Sequence, residues 1–205
     1  MKNIISKYRR LIILSSVFLS LGLGMYIYFR YFSYSPILKD PKWGMAIDSF
    51  NHVKVYYNGS VSITNGRNKA ADRYNLGLKY QCVEFVKRYY YEHLHHKMPD
   101  SYGNAKDFFD AHIADGTKNP KRDLVQYTNP SKTKPKVDDL VIYDGNSGNV
   151  YGHVAIVCDV TNDDLTIIQQ NPGLTAPSRI SIGLKQAGDQ WEIKNSRISG
   201  WLRKK

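Results

Sequence analysis

Residues 80–94 read YQCVEFVKRYYYEHL, and the fold turns on whether this stretch is a helix. Cys82, Phe85, Val86 and Tyr89 fall at i, i+3, i+4 and i+7, with Glu84, Lys87, Arg88 and Glu92 among them. That spacing lines one helical face, so a helix with an apolar face is expected here. Pro99 stops it, and GNAKDFFDAHIA, residues 103–114, reads as a second helix.

Towards the C-terminus the period changes. DDLVIYD (138–144), HVAIVCDV (153–160) and DLTIIQQN (164–171) are short apolar runs separated by turn-forming residues. Connections of that length join antiparallel strands. Residues 180–182, 191–193 and 198–202 supply later strands, and 116–137, rich in Lys, Pro, Asn and Thr, reads as an exposed loop. Towards the N-terminus, VKVYY and SVSI flank Asn58-Gly59, which predicts a hairpin over 53–64 turning at Asn-Gly. The triplet N-G-S at 58–60 also fits a glycosylation pattern, but the turn is the stronger reading. A polar loop, 65–79, then reaches Tyr80. Helices followed by strands define an α+β domain in which the helices pack on an antiparallel sheet.

At the start of the chain, LIILSSVFLSLGLGMYIYF (11–29) is uncharged and largely apolar. As a helix it would span about 28 Å, close to the hydrocarbon thickness of a bilayer. Lys2, Lys7, Arg9 and Arg10 precede it and Arg30 alone follows closely, which places the N-terminus in the cytoplasm and the rest outside. The expected layout is a basic segment (1–10), a single-pass anchor in a bacterial cytoplasmic membrane (11–29), a connector (30–44) and the folded domain (45–203). A signal peptide cleaved to release a secreted protein is the competing reading, and a buried core helix a third. The formal net charge of +11 falls to +6 once the five bases of residues 1–30 are set aside, leaving 24 bases against 18 acids. That excess suits an anionic surface without specifying one, and no zinc-knuckle, helix-turn-helix or long basic run points to nucleic acid.

Two cysteines are too few for a disulfide scaffold. Cys82 stands at the start of the 82–94 helix, where free N–H groups and the helix dipole favour a thiolate. It also begins the apolar face, so its sulfur should face the sheet, and the base must come from there. His153 opens the strand 153–160, where alternation groups it with Ala155 and Val157 and puts Val154, Ile156 and Cys158 on the other face. Cys82 and His153 together make a nucleophile–base pair for acyl transfer. The bland alternative is a buried cysteine and a strand-capping histidine. Gln169 and Asn171, on one face of IIQQN, each offer an amide oxygen to orient the imidazole, unless they only satisfy a turn before Pro172. His93, His95 and His96 cluster in EHLHHK, but no acid or third ligand joins them, so no metal and no cofactor is expected.

The blocks YQCVEFVKRYYYEHL, DDLVIYD, GHVAIV (152–157), IIQQN (167–171) and GWL (200–202) together resemble the CHAP-domain amidases, a papain-like family of cysteine amidases and peptidases. The likeness is closest to the amidase domain of bacterial glutathionylspermidine synthetase/amidase. It implies a papain-like CHAP fold with Cys82 as nucleophile and His153 as general base. It further implies an oxyanion hole made by the Gln81 side chain and the Cys82 N–H, with Asn171 matching the asparagine of the family's E-x-N pattern. Gln169 stands where the family's usual histidine-orienting glutamate would be, and a neutral amide stabilises imidazolium less than a carboxylate does. A thiolate–imidazolium pair would make Gln169→Glu extend activity to lower pH. The implied activity is amide hydrolysis through an acyl-enzyme, on peptidoglycan peptides or amide links. The alternatives are a polyamine–peptide conjugate amidase and a catalytically weakened wall-binding module.

Overall fold

The computed structural model describes residues 18–25, 42–173 and 176–205. The chain divides into two units, Met1–Asp40 and Pro41–Lys205. In the first, residues 18–25 form helix α1. No helix among the described residues is long and apolar enough to cross a membrane. This overturns the expected transmembrane helix over 11–29, and with it the membrane partner and the single-pass localisation. The rest of 11–29 lies outside the described residues.

The second unit begins with a hairpin of β1 (Ala46–Phe50) and β2 (Val53–Tyr56). Its turn is Asn51-His52, both at positive φ (45° and 68°), the conformation that lets a two-residue turn follow the twist of its strands. The expected turn at Asn58-Gly59 is not formed. Asn58 is buried instead, its Nδ2 donating to Ser60 O and Ile63 O and its Oδ1 accepting from the Trp43 indole. The expected loop 65–79 also folds, as the hairpin of β3 (Arg67–Lys69) and β4 (Asn75–Leu78).

Helix α2 (Cys82–Glu92) follows. Phe85, Val86 and Tyr89 are wholly buried on its apolar face, packed with Val154, Ile156, Leu140 and Ile142. The polar side is buried too: Glu84, Lys87 and Arg88 are at most 5% exposed. The β3–β4 hairpin covers that side. Gly77, at φ 127°, brings β4 so close that a Cβ would stand 3.2 Å from the Glu84 backbone. α2 is therefore a central helix rather than a surface one.

The second helix expected over 103–114 shrinks to a single 3-10 turn, Lys106–Phe108. Local side chains compete for its backbone: Asp107 accepts from Asn104 N–H and Asp110 from His112 N–H, turn bonds that replace a helical ladder. The 116–137 segment is not all loop either, since it contains β5 (Thr117–Asn119) and β6 (Leu124–Thr128).

The remaining strands are β7 (Leu140–Tyr143), β8 (His153–Val160), β9 (Asp164–Ile168), β10 (Arg179–Ala187), β11 (Gln190–Ile193) and β12 (Ile198–Arg203). With β5 and β6 they make one eight-stranded antiparallel sheet in the order β11-β10-β9-β8-β7-β12-β6-β5. One face packs on α2. The other buries Val141, Ala155, Val157, Ile167 and Trp201, because the sheet curls until a Ser131–Trp191 bridge ties β11 to the segment after β6. The architecture is α+β, as the order of helix and strands predicts.

Candidate active site

Cys82 is the first residue of α2, preceded by Gln81 in extended conformation with no side-chain cap. Its own N–H therefore has no intrahelical acceptor. Cys82 is half-buried and packs on the core cluster that contains Val154, whose backbone faces the sulfur. Val154 adjoins His153, so the contact brings the thiol to the start of β8. Cys82, His153, Gln81, Gln169 and Asn171 all line one cleft of about 1160 Å³.

The two faces of β8 separate as alternation predicts, but α2 packs on the set containing Val154 and Cys158. His153 reaches the cleft because it is the first residue of the strand, just after Gly152. Gly152 has φ 73°, and a Cβ there would lie 2.4 Å from Tyr143 O. Only glycine lets β8 enter beside β7 at this point.

Gln169 Oε1 lies 3.0 Å from His153 Nε2, while Gln169 Nε2 donates to Pro177 O at 3.0 Å. The second bond fixes which end of the amide faces the ring. An amide oxygen only accepts, so His153 carries its proton on Nε2 and leaves Nδ1 with a lone pair. Burial pushes the imidazole down to about 4; the Gln169 bond opposes this, and the charge of Arg197 adds to it. Burial likewise pushes the Cys82 thiol up, and the backbone groups facing the sulfur oppose this. Both shifts favour a neutral thiol beside a neutral imidazole, not an ion pair.

Asn171 does not bond His153. Its Nδ2 donates to Gln81 Oε1 at 2.6 Å and to Val61 O at 3.3 Å. Gln81 in turn donates through Nε2 to Ile63 O at 2.8 Å and Val61 O at 3.2 Å. Both amide hydrogens of Gln81 are thus engaged by the 61–63 segment, and an oxyanion would have to displace one of them.

Sequence reasoning missed Gln170. It is wholly buried, accepts from Tyr56 N–H at 2.7 Å, and donates to Gln81 O at 3.1 Å and Glu84 Oε2 at 2.9 Å. Glu84 is paired with Arg88 at 2.6 Å and accepts from Asn68 at 2.8 Å. This polar cluster clamps β2, the start of α2 and the end of β9 beneath the reactive pair. Alternation in IIQQN was the available signal: Gln170 points the other way from Gln169, hence into the domain. Cys158 is half-buried, bonded to Thr166 O at 3.4 Å, and both cysteines are free thiols. The histidine cluster separates: His93 meets Asn51, and His96 meets Arg122 O.

The far wall of the cleft, 101–105, is held by two buried cations through carbonyl oxygens. Arg122 donates to Asp100 O, Tyr102 O and Asp107 O, with its guanidinium 3.9 Å from the Phe108 ring centroid. Lys87 donates to Ser101 O at 2.8 Å and to Asn75 O, and burial pushes it down to about 8.

A helix-borne thiol, a strand-borne imidazole and an amide holding that imidazole are the kinds of group that cysteine-dependent acyl transfer uses. Residues 73–171 match the family model of the CHAP domain. Among curated proteins it is similar to trypanothione synthetase of Crithidia fasciculata, 29% identical over 120 residues, which are 58% of this chain and 18% of that protein. Among solved structures it is similar to "The crystal structure of Ly7917 with the hydrolyzing product of MDP", 30% identical, with a TM-score of 0.26. It is also similar to the crystal structure of Ly7917 itself, 29% identical with a TM-score of 0.25. Each of these two covers 37% of this chain and 30% of the solved one. The chain thus spans less than a third of the length of each relative.

Proposed function

We propose that this protein is a cysteine amidase or peptidase that hydrolyses peptide or amide bonds of peptidoglycan through an acyl-enzyme. One observation carries the chemistry: the Cys82 sulfur rests against the backbone beside His153, whose Nε2 is held by Gln169. His153 Nδ1 takes the thiol proton as the sulfur attacks the carbonyl carbon. The oxyanion that forms is stabilised by the Cys82 N–H and by Gln81 once its side chain leaves the 61–63 carbonyls. The imidazolium then protonates the departing amine, leaving a thioester. A water, deprotonated by His153, attacks it and frees the acid and the thiol.

The choice of substrate rests on the cleft. Its described lining contains no Asp or Glu, so nothing there would meet the ammonium groups of a polyamine conjugate, the second reading. A peptide of peptidoglycan carries carboxylates and suits such a lining. Digestion of purified muropeptides, read by product mass, tests the proposal. Wild type should release new termini and Cys82→Ala should not. Turnover of a spermidine–peptide conjugate with muropeptides untouched would favour the second reading, and binding without turnover would make this a wall-binding module.

A further inference from the structure

Two guanidinium groups face the cleft without an anionic partner. Arg197, in the turn before β12, gives one Nη2–H to Asp144 O at 3.3 Å and lies 5.9 Å from the Tyr143 ring centroid. The His153 ring lies on the same tyrosine, at 5.8 Å, so Arg197 stands beside the reactive pair. Arg67, opening β3, lies 5.3 Å from the centroid of Tyr102, itself an exposed residue of the cleft wall. The ion pairs among the described residues engage Arg88, Arg179 and Arg203, and leave Arg67 and Arg197 out. The other described lining residues are neutral apart from what His153 can take up, and most of their polar groups are Ser, Thr, Asn and Gln.

A guanidinium presents a planar fork of donors that matches a carboxylate in two-point geometry, and an aromatic face beneath it fixes its plane. Arg197 is held at one nitrogen only, with the remainder of its fork open. We propose that Arg197, with Arg67 as a second contact, binds a free carboxylate of the substrate, so that the cleft selects peptides carrying one near the scissile amide. The word substrate rests on the amide-hydrolase reading above; the anion site itself does not.

Binding to the full chain carrying Cys82→Ala separates the two. The probes are the peptide L-Ala–γ-D-Glu–L-Lys–D-Ala with both carboxylates free, and the same peptide with both as carboxamides, measured by titration calorimetry. The acid should bind about 10- to 100-fold more tightly, the range expected for a hydrogen-bonded ion pair. Arg197→Gln should remove most of that preference and Arg67→Gln part of it. Arg197→Lys, which keeps the charge without the fork, should fall between, and covers the case in which the glutamine variant fails to fold. Lys185→Gln, on the exposed part of β10, should leave the preference intact and so exclude a general charge effect. Equal affinity for the two peptides, no measurable binding of the acid, or a preference that survives both arginine replacements would overturn the site. Turnover by wild type is read separately. An arginine-dependent preference with no hydrolysis would leave the carboxylate site standing and overturn the amide-hydrolase reading.

Discussion

Cys82 and His153 are held in an environment that withholds charge from both, and this reverses one expectation drawn from the sequence. A thiolate–imidazolium pair would make Gln169→Glu extend activity to lower pH. Burial instead pushes the thiol up and the imidazole down to about 4, so the working pair at neutral pH is thiol and free base. A carboxylate at position 169 would raise the imidazole, and the base would then be protonated at a higher pH. The acidic limb of kcat/KM against pH should therefore move up in Gln169→Glu, by about one unit or more. A downward movement would restore the ion pair. Cys82→Ala should abolish hydrolysis with the fold retained, and iodoacetamide should label Cys82 before Cys158, more slowly in His153→Ala. Faster labelling of Cys158 would reassign the nucleophile.

At the scale of elements, the site depends on how β8 and β9 meet the start of α2. Gly152→Ala would drive a Cβ to 2.4 Å from Tyr143 O, so one strand must move. The expected result is a loss of about 2 kcal/mol or more of stability, seen in urea unfolding, with activity falling further because His153 follows directly. Gln170→Ala leaves the Tyr56 N–H without its acceptor and takes one of three donors from the Glu84 carboxylate, and should cost about 1–3 kcal/mol. Gln170→Leu should cost as much, showing that hydrogen bonding rather than volume is lost. The strands and α2 were legible because their apolar periods of 2 and 3.6 belong to a buried sheet face and a packed helix. The β3–β4 and β5–β6 hairpins were not legible, since β3 and β5 are polar three-residue strands, β4 and β6 are only four and five residues long, and all gain their place by covering α2 or extending an existing sheet edge. The same cover buries Glu84, Lys87 and Arg88, whose residue types alone give no sign of it. At the site, Cys82, His153 and Gln169 could be picked out by type and position. That both Gln81 hydrogens meet the 61–63 segment depends on a loop conformation that no local pattern encodes.

For the molecule as a whole, His153 links stability to pH. Above its ordinary pKa of 6.5 the ring is neutral in folded and unfolded chains alike. Between 6.5 and about 4 the unfolded chain takes up a proton that the folded one refuses, so stability falls as pH falls. The contribution is roughly 3 kcal/mol at most, given about 1.4 kcal/mol per unit. Thermal melts from pH 7 to 4 should show a steeper decline in wild type than in His153→Phe; parallel curves would remove His153 from the linkage. Since residues 41–205 form their own unit, a chain lacking residues 1–40 should melt cooperatively as a folded domain, and a broad, non-cooperative transition would show that the first unit is needed.

Arg122 and Lys87 grip the cleft wall by its carbonyl oxygens, which every residue type possesses. Ser101, Tyr102 and Asn104 can thus be exchanged without loosening the grip, while the glycine at 103, with φ 104° and Arg122 close by, cannot. Scaffold and selectivity are in this way uncoupled: a lineage can rewrite what the wall recognises, letter by letter, and keep the same frame behind it.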